Sequence, residues 1–199
     1  MSGNEKKKEF FSQNSKTKND EKKKLKNADL VTKSIEIKDT PISLISQIES
    51  VTILGHLIDE MTDYSVQAKP KEAIGLLGGN ELRPQELQIT KILYVSVGDE
   101  TSVSFSEEDF DAFEKILNRN SYCLGWWHSH PGYGLFLSQT DISTHIYSFQ
   151  LHNEQSIALV IEPTVIGSNG RAAFQCYQVV GEKGKTPFNY KEIASFIQE

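Results

Sequence analysis

The stretch "YCLGWWHSHPGYGLFLSQTDISTHIYSFQL", residues 122–151, changes character twice. Its first part, "YCLGWWHSH" (122–130), is apolar and aromatic and is predicted to be a strand. Pro131 ends the ladder because proline has no N–H to offer, and Gly132 and Gly134 let the chain turn back. "TDISTHIYSFQL" (140–151) is predicted to form a helix. Strand, loop and helix follow one another directly, so the polar residues strung along them need an explanation.

The flanking sequence extends this pattern in both directions. "LVTKSIEI" (30–37) reads as a strand. Val51, Leu54, Leu57, Ile58, Met61 and Tyr64 recur at spacings of three and four, predicting an amphipathic helix from about Ile45 to Val66. Pro70 closes it, since proline disfavours helix at the residue before it. "EAIGLLGGN" (72–80) and "LQITKILYVSV" (87–97) read as antiparallel partners. Ser106 with Glu107, Glu108 and Asp109 resembles a helix start, and Phe110, Phe113, Ile116 and Leu117 carry that helix to about Asn118. Downstream come a central strand, "SIALVIEP" (156–163), a hairpin turn, "GSNG" (167–170), its return, "RAAFQCYQVV" (171–180), and a terminal helix over "NYKEIASFIQ" (189–198). Strands and helices in mixed order predict an α/β protein with a mixed sheet flanked by helices.

The 199 residues, 38% hydrophobic and 24% charged, suit one soluble globular domain, placed at 31–199. Residues 1–30 read as a disordered basic tail: up to Asn27 there are nine lysines against four acids, leaving 12 basic and 23 acidic side chains to the rest. That acidic body argues against general nucleic-acid binding, which needs a basic face. The tail is either a solubilising extension or an electrostatic arm. Runs such as "IALVI" (157–161) are far too short to span a bilayer and no secretory segment follows Met1, so a cytoplasmic protein without membrane attachment is expected. Cys123 and Cys176 sit in apolar stretches, either as a disulfide or, as that compartment favours, as buried thiols.

His128 and His130 are one residue apart on a strand, so both imidazoles project from one face. Asp141, at the start of the following helix, can return across the loop towards them. Two imidazoles and a carboxylate, with room for water, match a three-ligand catalytic zinc shell holding one ion, where bound water has a pKa near 7. A carboxylate is then needed to move the water's proton, and Glu72 is the candidate, although taken alone such a residue is more often a solvated charge than a base. Ser138 is the candidate for hydrogen-bonding an oxyanion, and both Ser138 and Asp141 also read as helix caps. Trp126, Trp127, Tyr133 and Phe136 are either packing or substrate surface. His145 and His152, seven residues apart on the predicted helix, are a weaker pair for a second ion.

Together these residues resemble a known family. His128-Ser-His130-Pro131, then Ser138 and Asp141, with Glu72 upstream in "KEAIGLLGG", look like the JAMM signature of the MPN-domain zinc metalloproteases. "LGWWHSHPGYGLFLSQTDIST" (124–144) is most similar to the proteasome-lid deubiquitinase and signalosome deneddylase branches. The resemblance spans roughly 45–180 and implies the MPN fold, a curved mixed sheet sandwiched by helices in a cytidine-deaminase-like layout. It implies a compact, archaeal-type member in which His128, His130 and Asp141 bind zinc, Glu72 is general base and acid, and Ser138 assists the oxyanion. The implied activity is removal of ubiquitin or a ubiquitin-like modifier from lysine side chains, within or beside a proteasome-type or other ubiquitin-system complex. A modifier's extended tail is expected beside Val103, Ser104 and Phe105, with Trp127, Tyr133 and Phe136 as further substrate contacts. The other readings are a non-catalytic MPN scaffold and a JAMM hydrolase of a small amide or cysteine adduct.

Overall fold

"SIALVIE" and "LGWWHSH" are apolar at odd and even positions alike, the pattern of strands covered on both faces. In the structure, a computed structural model describing residues 43–44, 46–97, 123–182 and 188–199, both lie inside one mixed sheet. Its strands are β1 (Ser43–Leu44), β2 (Ser50–Leu54), β3 (Ala73–Arg83), β4 (Glu86–Val97), β5 (Cys123–Ser129), β6 (Ile157–Ile166), β7 (Ala172–Glu182) and β8 (Asn189–Gln198). The order is β1-β7-β6-β5-β3-β4-β2-β8, and β8 also pairs with β7, so the sheet curls until it closes on itself.

Curling creates an inner and an outer face. Helix α1 (Gly55–Ala68) packs Leu57, Ile58 and Met61 against the inner face, with Val51, Ile53, Leu87, Trp127, Leu159 and Ile193. The outer face carries Ile74, Leu76, Trp126, Ala158, Val160 and Tyr177. It is covered by Leu137, by Ile142 of helix α2 (Gln139–His145), and by Ile146 and Phe149 of the π-helical turn Ile146–Gln150 that continues it. β6 shows the alternation plainly: Ile157, Leu159 and Ile161 point inward while Ala158 and Val160 point outward.

Two segments differ from their predicted state. Val51 and Leu54, placed by spacing on the first helix, belong to β2, which runs parallel to both β4 and β8 before α1 begins at Gly55. "SVTIL" is β-branched and buries Val51 and Ile53 on alternate positions, a strand preference that the helix-like spacing masked. The terminal segment 189–198 is strand β8 and not a helix. Pairing with β7 on one side and β2 on the other overrides its modest helix propensity. The predicted strand 30–37, the helix following Ser106 and the basic tail lie outside the described residues. No helix of the described residues is long and apolar enough to cross a membrane. Cys123 and Cys176 are free thiols, and burial pushes that of Cys176 up to about 12, which leaves it inert as a nucleophile.

Gly125 breaks the alternation of β5 with a bulge: Leu77 pairs with Gly125 and Gly78 with Cys123, leaving Leu124 as the extra residue. The bulge lets Leu124 and Trp127 both face the inner core while Trp126 and His128 face outward. Gly125 has φ +138°, and a Cβ there would sit 1.9 Å from the Ile157 carbonyl oxygen. Gly125→Ala is therefore expected to cost at least about 2 kcal/mol through backbone strain and overpacking. That corresponds to a loss of roughly 4–8 °C in thermal midpoint for a domain of this size. Gly170→Ala, at φ +78° with nothing within 4 Å of a Cβ, incurs the strain alone and should lose less.

Candidate metal centre

Strand geometry supplies two of three converging side chains. β5 is held between β3, antiparallel, and β6, parallel, and His128 and His130 both leave its outer face where it ends. The third comes from the start of α2, where Ser138 and Asp141 form a reciprocal cap. The Asp141 N–H donates to Ser138 Oγ (3.2 Å) and the Ser138 N–H to Asp141 Oδ2 (2.7 Å). The cap fixes the carboxylate as well as the helix start, so structure and site share one device.

The Nε2 atoms of His128 and His130 lie 3.0 Å apart. Asp141 Oδ1 is 3.5 Å from the first and Oδ2 is 3.6 Å from the second. A tetrahedral ion with ligand bonds of 2.0–2.2 Å needs its donors roughly 3.3–3.6 Å apart; the two Asp141–histidine distances fall in that range, while the 3.0 Å between the imidazole nitrogens is shorter and would have to open slightly around an ion. Tautomer agrees with geometry. His130 Nδ1 lies 3.1 Å from the Gly134 carbonyl, which can only accept, so Nδ1 carries the proton and Nε2 of the neutral ring is bare. His128 Nδ1 is buried without a partner among the described residues, and its ring is held by stacking on Trp126 at 4.5 Å and 12°. The Trp126 indole N–H in turn donates to His145 Nδ1 at 3.2 Å. Two imidazole nitrogens and a carboxylate within 4.8 Å of one another are a donor set able to hold a metal ion.

Burial and mutual charge set the ionisation of the group. Burial pulls His128 below its ordinary value, with Asp141 opposing. Burial acts the same way on His130, but Asp141, Glu72 and the Gly134 carbonyl outweigh it and raise that pKa. Asp141 would be raised by burial, yet hydrogen bonds and charge from both histidines, with Ser138, hold it well below the usual carboxylate range.

Glu72 belongs to the same cluster. Ile74 pairs with His128 in antiparallel register, which extends to place Glu72 opposite His130. The side chain is 7% exposed, and burial pushes its carboxyl up to about 7, with His130 opposing and Asp141 reinforcing the shift. Its position depends on Ser129, a residue that composition alone would not single out. Lying between the histidines, Ser129 faces inward and its Oγ accepts the Ala73 N–H at 2.8 Å, tying the start of β3 to the end of β5.

The expected substrate residues divide. Tyr133 is 60% exposed and Phe136 is 36% exposed, with the Phe136 ring centroid 4.8 Å from that of His130. Trp127 is instead fully buried in the inner core, because it alternates with His128 and must face α1, so it cannot contact substrate. Val103, Ser104 and Phe105 lie outside the described residues. His145 and His152 form no pair: His145 is buried, and burial pushes it down to about 3, whereas His152 is exposed and turned to the Tyr147 carbonyl.

Residues 46–154 match the model of the JAB1/Mov34/MPN/PAD-1 ubiquitin protease family, and the chain belongs to that family. It is 26% identical over 137 residues to the ubiquitin carboxyl-terminal hydrolase RPN11 of Saccharomyces cerevisiae, covering 66% of this chain and 44% of that protein. It is 33% identical over 96 residues to COP9 signalosome complex subunit 5b of Arabidopsis thaliana, covering 45% and 26%. Over 152 residues it is 32% identical to the NAD(+) hydrolase TcpA of a Theionarchaea archaeon, covering 75% and 46%. The chain thus spans less than half the length of each of these relatives. A protein of Desulfitobacterium hafniense solved in solution shares the fold, with a TM-score of 0.50 at 20% identity over 75% of this chain and 93% of its own.

The depressed Asp141 carboxyl has a stability consequence in metal-free protein. Its folded pKa lies below the ordinary 3.8, so the unfolded chain binds the extra proton first as the solution is acidified. Its contribution is complete above about pH 4 and drains as pH falls through the folded value. In excess chelator, the urea midpoint of the wild type should therefore drop more steeply below pH 4 than that of Asp141→Asn. Ser138→Ala, which removes the cap acceptor, should cost about 1 kcal/mol in the same assay at neutral pH.

Proposed function

We propose that the chain is a zinc-dependent isopeptidase that releases ubiquitin or a ubiquitin-like modifier from lysine side chains. The observation that carries this reading is the placement of a buried Glu72 beside the converging His128, His130 and Asp141. Zinc held by those three residues would supply a Lewis acid that lowers the pKa of water to about 7 and polarises a carbonyl. Glu72, buried beside these residues, has a carboxylate that can take a proton from water and return it to the departing lysine amine. Ser138 Oγ accepts the Asp141 N–H, which leaves its own proton to donate to a developing oxyanion. Tyr133 and Phe136 offer exposed aromatic surface next to His130 for the tail of the modifier.

Family membership supports the protease class, and the relatives named as proteasome-type and signalosome subunits support partners within the ubiquitin system. The substrate is taken to be a folded modifier joined through an isopeptide bond, and the conjugate as a whole is the partner bound at the site.

Zinc-loaded protein is expected to cleave a ubiquitin-like chain or fusion. Glu72→Gln should lower kcat by about 10²–10⁴ while retaining the metal, as read by elemental analysis. Normal cleavage by Glu72→Gln would refute the assigned proton transfer. A folded sample that takes up no zinc would point to the scaffold reading, and one that binds zinc but cuts only small amides would move the substrate class.

A further inference from the structure

Glu162 ends the buried part of β6, at 2% exposure, and the proposed proton-transfer and ligand roles make no use of it. β5 and β6 run parallel with His128 opposite Val160 and Ser129 opposite Ile161, and the His130 N–H still donates to the Ile161 carbonyl at 2.9 Å. The next residue on β6 therefore meets the Pro131–Gly134 turn just where β5 gives way to it. There the Glu162 carboxylate is surrounded by donors. Oε1 accepts the Thr164 N–H (2.9 Å), the Thr164 hydroxyl (2.7 Å) and the Gly132 N–H (3.0 Å). Oε2 accepts the Gly134 N–H at 2.8 Å and shares that of Gly132 at 3.1 Å. Burial would raise this carboxyl, yet the Thr164 hydroxyl and the backbone N–H groups of Gly132, Gly134 and Thr164 hold it below the usual range.

We propose that Glu162 is a positioning residue for His130: by anchoring the Gly132 and Gly134 amides, it aims the Gly134 carbonyl at Nδ1 and so keeps Nε2 bare towards the metal centre. The relay is short. One peptide residue, Gly134, gives its N–H to Glu162 and its carbonyl to His130, 3.1 Å from Nδ1. Gly132 and Gly134 stand at φ +88° and +91° with nothing within 4 Å of either Cβ position among the described residues, so neither position is held by packing. The carboxylate is the anchor. Only an all-acceptor group fits it: a glutamine must set its NH₂ against either the Gly134 N–H or the Thr164 N–H. An imidazole ligand whose second nitrogen is held by an outer partner has its tautomer and ring orientation fixed, and loss of that partner typically weakens metal binding about 10–100-fold.

This inference rests on the metal-site reading, but its test separates the two. Histidine ¹⁵N NMR of metal-free protein at pH 8 reads the tautomer of His130, and chelator competition reads zinc affinity. The wild type should show protonated Nδ1. Glu162→Gln should shift His130 towards the Nε2–H form and weaken zinc binding about 10–100-fold. Gln178→Ala is the control for a merely structural loss: Gln178 is equally buried and holds the Ile48 N–H and the Ser156 carbonyl, outside the turn. It should lose thermal stability yet keep the tautomer and the affinity. Should Glu162→Gln not fold, Glu162→Asp, one methylene too short to reach both Gly134 and Thr164, should shift both readouts in the same direction. A folded Glu162→Gln with wild-type tautomer and zinc affinity would overturn the role of Glu162. A wild type that binds no zinc would defeat the metal reading instead, and the metal-free tautomer would still decide the case of Glu162.

Discussion

Everything at the site depends on β5 being an interior strand with neighbours on both edges and a core on both faces. Period-two alternation then leaves no freedom: if Trp127 and Ser129 face α1, Trp126, His128 and His130 must face outward. A slip of one residue would bury both imidazoles among inner apolar side chains and expose Ser129. The register is locked on the β3 side by the Gly125 bulge and on the β6 side by the parallel ladder from Gly125 to Ser129. Placement of the two imidazoles is thus a consequence of sheet packing, and the loop has only to bring Asp141 back to them.

The same strand serves the site from its other face. Ser129 lies on the inner side, yet through the Ala73 N–H it sets where β3 begins, and hence where Glu72 stands opposite His130. Trp126 braces His128 by stacking, with its own indole tied to His145 at the junction of α2 and the π-helical turn. A π-turn at that point keeps Phe149 stacked on Trp126, at 5.9 Å between centroids. These braces occupy core positions, which suits a site whose buried charges gain stability only when geometry holds them in place.

How much of this was legible in sequence follows from the range of each interaction. The two histidines, the proline–glycine turn and the helix cap are local, and spacing alone gave their arrangement. Trp127 is ambiguous in sequence because aromatic composition does not say which way a strand faces; its alternation with His128, in regular register against β3, turns it inward. β8 resembles a helix in sequence because its strand state comes from two neighbours distant in sequence, β7 and β2, while its own exposed Lys191, Glu192 and Ala194 tolerate a helix. "SVTIL" merges in sequence with the helix that follows it for a similar reason: Val51 fits both periods, and only the parallel partners of β2 choose between them. Ser129 and Glu162 left no mark, since each acts on backbone N–H groups, which every residue but proline carries.

Glu72 and Glu162 show how one fold gives the same side chain opposite ionisation. Both are nearly inaccessible to solvent, at 7% and 2% exposure, so burial raises the pKa of each. Glu162 meets only hydrogen-bond donors, and they more than offset the loss of water, leaving an anion that holds a turn. Glu72 receives no hydrogen bond from the described residues, and its nearest charges work against each other: His130 favours its ionised form while Asp141 opposes it. Its carboxyl is left near 7, where gaining and losing a proton cost little. A carboxylate saturated with donors is a poor base and a good anchor; one that is buried but under-solvated is the reverse. Burial and the number of N–H groups each meets together separate the two carboxyls.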